Sequence, residues 1–352
     1  ACATGTYTFT YKLKGGANQL RATSAGNCET LPAPTSTVGT FIYSLVSVQE
    51  GSSTACSQAQ GGSATITVNP LPYVNLTSCN DLITTSTSRS FTLKGGVPPG
   101  GIYYIDGVPA AGGIFNPTVL SATSHQVTYS YTDVNTCKST SSSVFINIIN
   151  GSPAGSCPQS FTDPRDNYLY KAFTLGGHCW MLTDLNYGTK MASSSSPQTD
   201  NCTPEKYCLA SDATCSTYGG LYQWDELMQY QVPAAGLTVQ GLCPPEWHVP
   251  TQAEWTDLIN SVASLTPGDG LAGDFLKDPV PAFGFRALLD GIFYQNNTWA
   301  FTSGSLTATM YWTSTTDGPY RVIARGMNVY TYSVSFYPSL RSNAFTVRCV
   351  KD

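Results

Sequence analysis

Between Gly241 and Val262 the chain reads GLCPPEWHVPTQAEWTDLINSV, and its apolar positions follow the helical period. Trp255, Leu258, Ile259 and Val262 fall at i, i+3, i+4 and i+7, which is one apolar face. Pro244, Pro245 and Pro250 rule out an earlier helix start. Thr251 stands at the N-cap position with Glu254 three residues on, a capping box. A second, shorter helical pattern is QWDELMQY, with Trp224, Leu227 and Met228 on one face.

The first 150 or so residues carry the period of two instead. TYTFTYKLKGG alternates and stops at Gly15-Gly16, TFIYSLVSV is rich in β-branched and aromatic residues, and SATITVNPLP ends at Pro70 and Pro72. FTLKGG at 91–96 repeats YKLKGG at 11–16 with an offset of 80, and HQVTYSYTD and SVFINIING supply late strands before Pro153. Short strands with regular Gly, Pro and Asn turns predict β-sandwiches, and the offset predicts two copies of one unit. The expected domains are 1–72, 73–151 and 152–352. The last is set apart by composition, since all six tryptophans lie from Trp180 onward.

Composition narrows the function classes. Charged residues make up 11% of the chain, the net charge is −5 and there is no basic run, so nucleic acid has little to hold. No apolar run is long enough to span a membrane as a helix. Twelve cysteines without a CxxC pair, beside three histidines, favour disulfides in an oxidising compartment over metal sites. The repeat places Cys2 and Cys79 before the LKGG strands and Cys56 and Cys137 after late strands, so Cys2–Cys56 and Cys79–Cys137 are the expected pairs.

The SATITVNPLP ending resembles the Ig-like repeats of secreted adhesins of Bacteroidetes-type bacteria. Such repeats usually begin with two further strands, so the first unit reads as incomplete. Either the sequence continues a longer surface protein, which is the favoured reading, or a neighbouring copy supplies strands by β-augmentation.

Six ordered motifs carry a second resemblance, over about 157–352. They are the CPQSFTDPRDNYLYKAFTLGGHCWMLTDLNYG opening (Asp163, Arg165, Asp166, Tyr170, Leu175, Gly176, Cys179, Trp180, Met181, Leu185, Asn186, Tyr187), Glu205–Tyr230, Cys243–Leu258, Gly284–Leu288, Tyr311–Thr315 and Phe345–Asp352. The segment resembles the Fibrobacter succinogenes major paralogous domain and, more distantly, C-type lectins and formylglycine-generating enzymes. LLDGIFYQ departs from the family's Pro-Gly-Gly turn. The implied fold class is mostly β: two Ig-like sandwiches followed by an irregular α+β C-type-lectin-like domain. Cys157–Cys179, Cys208–Cys215 and Cys243–Cys349 are then expected to pair, with Cys28 and Cys202 left to pair with each other or stay free.

Chemistry is sparse. Cys349 in the strand pattern FTVRCV reads as a crosslink, because the formylglycine-generating enzymes need further cysteines close by. His248 and His178 read as structural, and no G-x-S-x-G motif is present. Asp163, Asp166 and Asp184 cluster near the domain start, and Asp269, Asp274 and Asp278 sit in a Gly-rich loop; either group could take Ca²⁺, but the spacing fits no EF-hand and the default is solvated loop aspartates, with no cofactor. The lectin E-P-N or Q-P-D calcium loop is absent, and WTSTTD stands where the W-N-D strand would be.

The favoured recognition surface is 317–343 with Trp312 beside it: Tyr320, Arg321, Arg325, Asn328, Tyr330, Tyr332, Tyr337 and Arg341 combine area with hydrogen bonding. Lectin-like folds carry ligands in this late region. The expectation is a non-catalytic extracellular adhesin segment at a bacterial cell surface, its stalk presenting a head to glycan or protein. The alternative is a subunit or terminal segment of an extracellular filament, packed against neighbouring copies.

Overall fold

The computed structural model of the protein describes residues 6–23, 28–50, 57–153, 155–193, 196–209, 212–233, 237–265, 272–277, 284–289, 293–296, 298–301 and 308–352. The described chain is mostly β, with three short α-helices. It divides into two compact units, 1–74 with 130–140 and 75–129 with 141–352.

In the first unit the alternating segments become strands Tyr7–Leu13, Asn18–Ala22, Gly39–Glu50, Ser57–Ala59 and Ser63–Val68, all in one antiparallel sheet. Gly15, with φ 70, supplies the left-handed turn of its first hairpin. Phe9, Tyr11, Tyr43 and Leu45 line a groove of ≈ 410 Å³ on this sheet. The Cys2–Cys56 pairing lies outside the described residues. Cys28 is in a disulfide, and its partner is not Cys202.

In the second unit, Val144–Ile149 pairs antiparallel with residues 124–127 and parallel with Ile83–Thr85. Leu93, Phe115, Val127, Tyr129, Ile146 and Ile148 are buried there. The repeated LKGG does different work in the two copies. At 93–96 it makes no hairpin. Gly95, with φ 95, lets the chain pass against the Thr77 carbonyl, and Gly96 lies under the Tyr129 ring. The two copies therefore differ in local topology, and the disulfide argued from their equivalence does not form. Cys79 pairs with Cys202, and Cys137 is free.

The C-terminal part builds on two buried clusters. Around one of them strands Leu169–Leu175, His178–Met181, Val350–Lys351 and Trp247–His248 run side by side. Helix α1 is a single turn, Trp224–Leu227, whose Trp224 and Leu227 are fully buried in the first cluster. Helix α2, Gln252–Leu265, buries Trp255, Leu258 and Val262 in the second, with Ile259 packed alongside. Its capping box is formed: the Glu254 amide donates to Thr251 Oγ1 at 3.2 Å, and Thr251 N–H donates to Glu254 Oε2 at 2.7 Å. Helix α3 is Ala272–Lys277. The Cys243–Cys349, Cys157–Cys179 and Cys208–Cys215 bridges form as expected.

Ion pairs close this unit. Arg165 donates to Asp163, to Asp81 and to the Leu242 carbonyl, and lies over the Tyr187 ring at 3.7 Å. Arg348 joins buried Asp184 at 2.6 Å to the carbonyls of Phe285 and Arg286. Each buried guanidinium is thus paired and hydrogen-bonded, as its desolvation demands. Asp163 and Asp184 serve these arginines, and Asp166 accepts the Tyr168 amide, so the three do not form a calcium cluster. Among the described residues no helix is long and apolar enough to cross a membrane.

Candidate functional site

The expected recognition surface does not stay together. Trp312 leaves it entirely: it is fully buried, and its Nε1–H donates to the Tyr222 carbonyl at 2.7 Å. Its strand, Ala308–Thr316, is an outer member of a three-stranded sheet, and both of its rings, Tyr311 and Trp312, are buried in the core clusters. Arg325 is also buried, with Nη2 donating to Thr256 Oγ1 of α2 at 3.0 Å. Asn328 caps the following turn by accepting the Tyr330 amide. Tyr330 and Tyr332 are exposed on that loop, where the Tyr332 carbonyl meets Gly273 of α3. Tyr337 and Phe336 are half-exposed on the strand Ser335–Leu340, while Arg321 is exposed opposite Leu340. Asp274 pairs with Lys277 at 3.1 Å; Asp269 and Asp278 lie outside the described residues.

Two of the expected residues do converge. Tyr320, which is 77% exposed, and Arg341 line a cleft of ≈ 720 Å³ whose other wall is the α1 segment, through Gln223, Asp225, Glu226 and Tyr230. The pairing of Tyr222–Gln223 with Ala344–Phe345 sets the two walls in register. The Trp224 amide donates to the Arg341 carbonyl and the Arg341 amide to the Tyr320 carbonyl. The Arg341 guanidinium lies 4.5 Å from the Trp224 ring centroid and 3.5 Å from Asp225 Oδ1.

The cleft's polar groups divide into fixed and available. Gln198 and Gln223 exchange amide–backbone bonds at 2.6 and 2.8 Å and spend their remaining donors on carbonyls, so both are framework. Glu226 is buried; its Oε1 accepts the Glu205 amide at 2.8 Å and its Oε2 accepts the Tyr230 hydroxyl at 2.9 Å. Burial pushes the Glu226 carboxyl up to about 7, against the pull of those two donors. Asp225 and Arg341 are less engaged, and the Asp225 carboxyl is raised by burial even beside Arg341. Available chemistry at the mouth is therefore one carboxylate, one guanidinium and the Tyr320 ring.

The turn after α1 holds this wall. Gln229 N–H donates to the Glu226 carbonyl and Tyr230 N–H to the Asp225 carbonyl, the pairing of a Schellman C-cap. Glycine is the usual left-handed residue there, yet Gln229 (φ 50) and Tyr230 (φ 57) adopt it. The sequence reading missed Asp225, Glu226 and Tyr230. Tandem acids inside an otherwise aromatic motif, QWDELMQY, were the signal that could have found them.

A separate buried constellation sits at the start of α2. His248 Nδ1 meets Asp352 Oδ1 at 2.7 Å and its Nε2 meets Glu254 Oε1 at 2.8 Å. Burial alone would depress the imidazole, but the two carboxylates outweigh it and hold His248 above its ordinary range. Both ring nitrogens are occupied, so His248 is a clamp between the helix start and Asp352, not a free base.

The model of the Fibrobacter succinogenes major domain matches residues 173–351, which takes in the α1 wall, α2 and the Arg341 wall but not the DPRDNYLY opening. No curated protein and no solved structure matches the chain. Since the match spans more than half of the 352 residues, the chain belongs to the Fibrobacter succinogenes major domain family.

Proposed function

We propose that this is an extracellular, non-catalytic binding protein of the bacterial cell surface, and that its cleft takes a glycan. In this reading Ig-like sandwiches form the stalk and a C-type-lectin-like domain forms the head. The observation that carries it is the cleft mouth: an exposed Tyr320 ring beside Asp225 and Arg341. A carboxylate accepts from sugar hydroxyls, a guanidinium donates to them, and an aromatic face covers the apolar side of a pyranose ring. In this reading Glu226, which accepts from the Glu205 amide and the Tyr230 hydroxyl, and Cys349, which is crosslinked, serve as framework. The crosslinks support an oxidising location.

A glycan array with the full chain tests the proposal. Tyr320→Ala and Asp225→Asn should each weaken retained glycans about tenfold or more, roughly the loss of one stacking or charged contact. EDTA should leave binding unchanged. A glycan held equally by wild type and both variants would sink the cleft assignment.

The filament reading has one observation in its favour. The first unit's described strands make a single sheet whose Phe9, Tyr11, Tyr43 and Leu45 remain only half-buried, a face that a neighbouring copy could cover. Sedimentation of the full chain over a concentration series checks it, with a strictly monomeric species counting against the filament.

A further inference from the structure

Two anchors reach the cleft wall from the middle of the chain. Cys79 is bonded to Cys202, and Lys94 Nζ donates to the Gln229 carbonyl at 2.7 Å. Both attach behind the Glu226 and Tyr230 side of the wall, at left-handed residues: Cys202 has φ 64 and Gln229 has φ 50. The anchors belong to one small framework. Asn80 bridges them, its Oδ1 accepting the Lys94 amide at 2.9 Å and its Nδ2 donating to the Thr92 carbonyl at 3.0 Å. Gly95, packed on the Thr77 carbonyl, closes that framework.

We propose that Cys79 and Lys94 are positioning residues for the cleft, and that residues 77–95 act as its brace. This rests on the reading of the cleft as the binding site. A one-turn helix cannot hold its own C-terminal conformation, because helix formation in so short a segment is unfavourable without outside contacts. Consecutive left-handed non-glycine residues persist only where their surroundings over-determine them. Lys94 supplies that at Gln229, and so holds Tyr230, whose hydroxyl bonds Glu226. The Cys79–Cys202 bond supplies it on the other side. It tethers the 199–205 loop, from which the Glu205 amide donates to the second Glu226 oxygen. Each anchor thus fixes one of the two hydrogen bonds that hold Glu226 in the wall.

Hydrogen exchange on the full chain tests the brace without any ligand. Lys94→Met should speed amide exchange at 228–230, and the Cys79→Ser/Cys202→Ser pair at 199–205, by about tenfold or more, with α2 unchanged. Lys94→Arg, which can still donate to Gln229, should restore the wild-type pattern. The Cys157→Ser/Cys179→Ser pair is the control and should leave 199–205 and 228–230 as they are. Unchanged exchange in Lys94→Met and in the cysteine pair overturns the brace, as does an equal effect from the control. A glycan retained by the wild type should be lost in step with these exchange changes. If the wild type retains no glycan while exchange responds as stated, the ligand reading fails and the brace stands.

Discussion

Glu226 and His248 show how one side chain's surroundings set its response to pH. The Glu226 carboxyl is lifted to about 7 by burial, so the folded protein holds that proton more tightly than the unfolded chain does. Stability from this group is fully present below about 4.5 and falls as pH rises toward 7. Glu226→Gln should therefore stabilise the protein at pH 8, by roughly 2–3 kcal/mol at most, and do little at pH 4.5; denaturant midpoints at both pH values check this. His248 follows the same linkage sign, although here it is the charged form that the surroundings favour. Its folded pKa is raised, so its contribution is complete below about 6.5 and fades as pH climbs above that. Glu254 and Asp352 are both held below their ordinary values by His248, with Arg89 helping at Asp352, so their contribution fades as pH falls below the carboxylate range. The melting temperature gap between wild type and His248→Asn should be widest between about pH 4.5 and 6.5. A gap that grew steadily to pH 9 would contradict the clamp.

Among the elements, α2 is the one whose local signals and tertiary role coincide. Its capping box is satisfied in both directions, and its buried face meets Trp180, Phe285 and Tyr311 around Trp255. Thr251→Ala should cost about 1 kcal/mol, read as a lowered denaturant midpoint with an unchanged slope. Helix α1 is different. Its single turn is defined by what surrounds it: Trp224 Nε1 donates to the Thr313 carbonyl, and the Schellman turn closes on left-handed Gln229. Helical spacing named its apolar face, Trp224, Leu227 and Met228, correctly, but the cleft it borders depends on the turn Pro319–Tyr320 and on Arg341, about a hundred residues later.

For the molecule as a whole, the second compact unit is the relevant body. Asp81 receives Arg165 at 3.0 Å and the Tyr187 hydroxyl at 2.9 Å, Glu246 accepts from Thr85, Thr87 and Ser152, and Arg89 meets Asp352 at 2.9 Å. Removing one partner of such a half-buried network leaves the other charge uncompensated. Asp81→Asn and Leu227→Ala should therefore shift one and the same thermal transition of the full chain, although the two residues belong to different parts of the sequence pattern. Calorimetry in which each moved a separate transition would show that the middle strands and the C-terminal part fold apart.

The strands of period two, the capped helix after Thr251 and the short-range disulfides of the last domain were legible in the residues themselves. Each depends on a local period, a cap three residues long or a bracket around one turn, and local chemistry decides those. Cys79 was different, because its assignment assumed that two LKGG copies would fold alike. The close pass of Gly95 against Thr77 made the second copy a different structure and freed Cys79 for Cys202. Trp312 and Tyr320 lie on neighbouring stretches with similar composition, yet one is core and the other is cleft. Which of them faces solvent depends on where strands distant in sequence come to lie. That juxtaposition, with the wall of Asp225, Glu226 and Tyr230 opposite Arg341, is set only when the sheet closes, because the energy that places each ring comes from surfaces contributed by other parts of the chain.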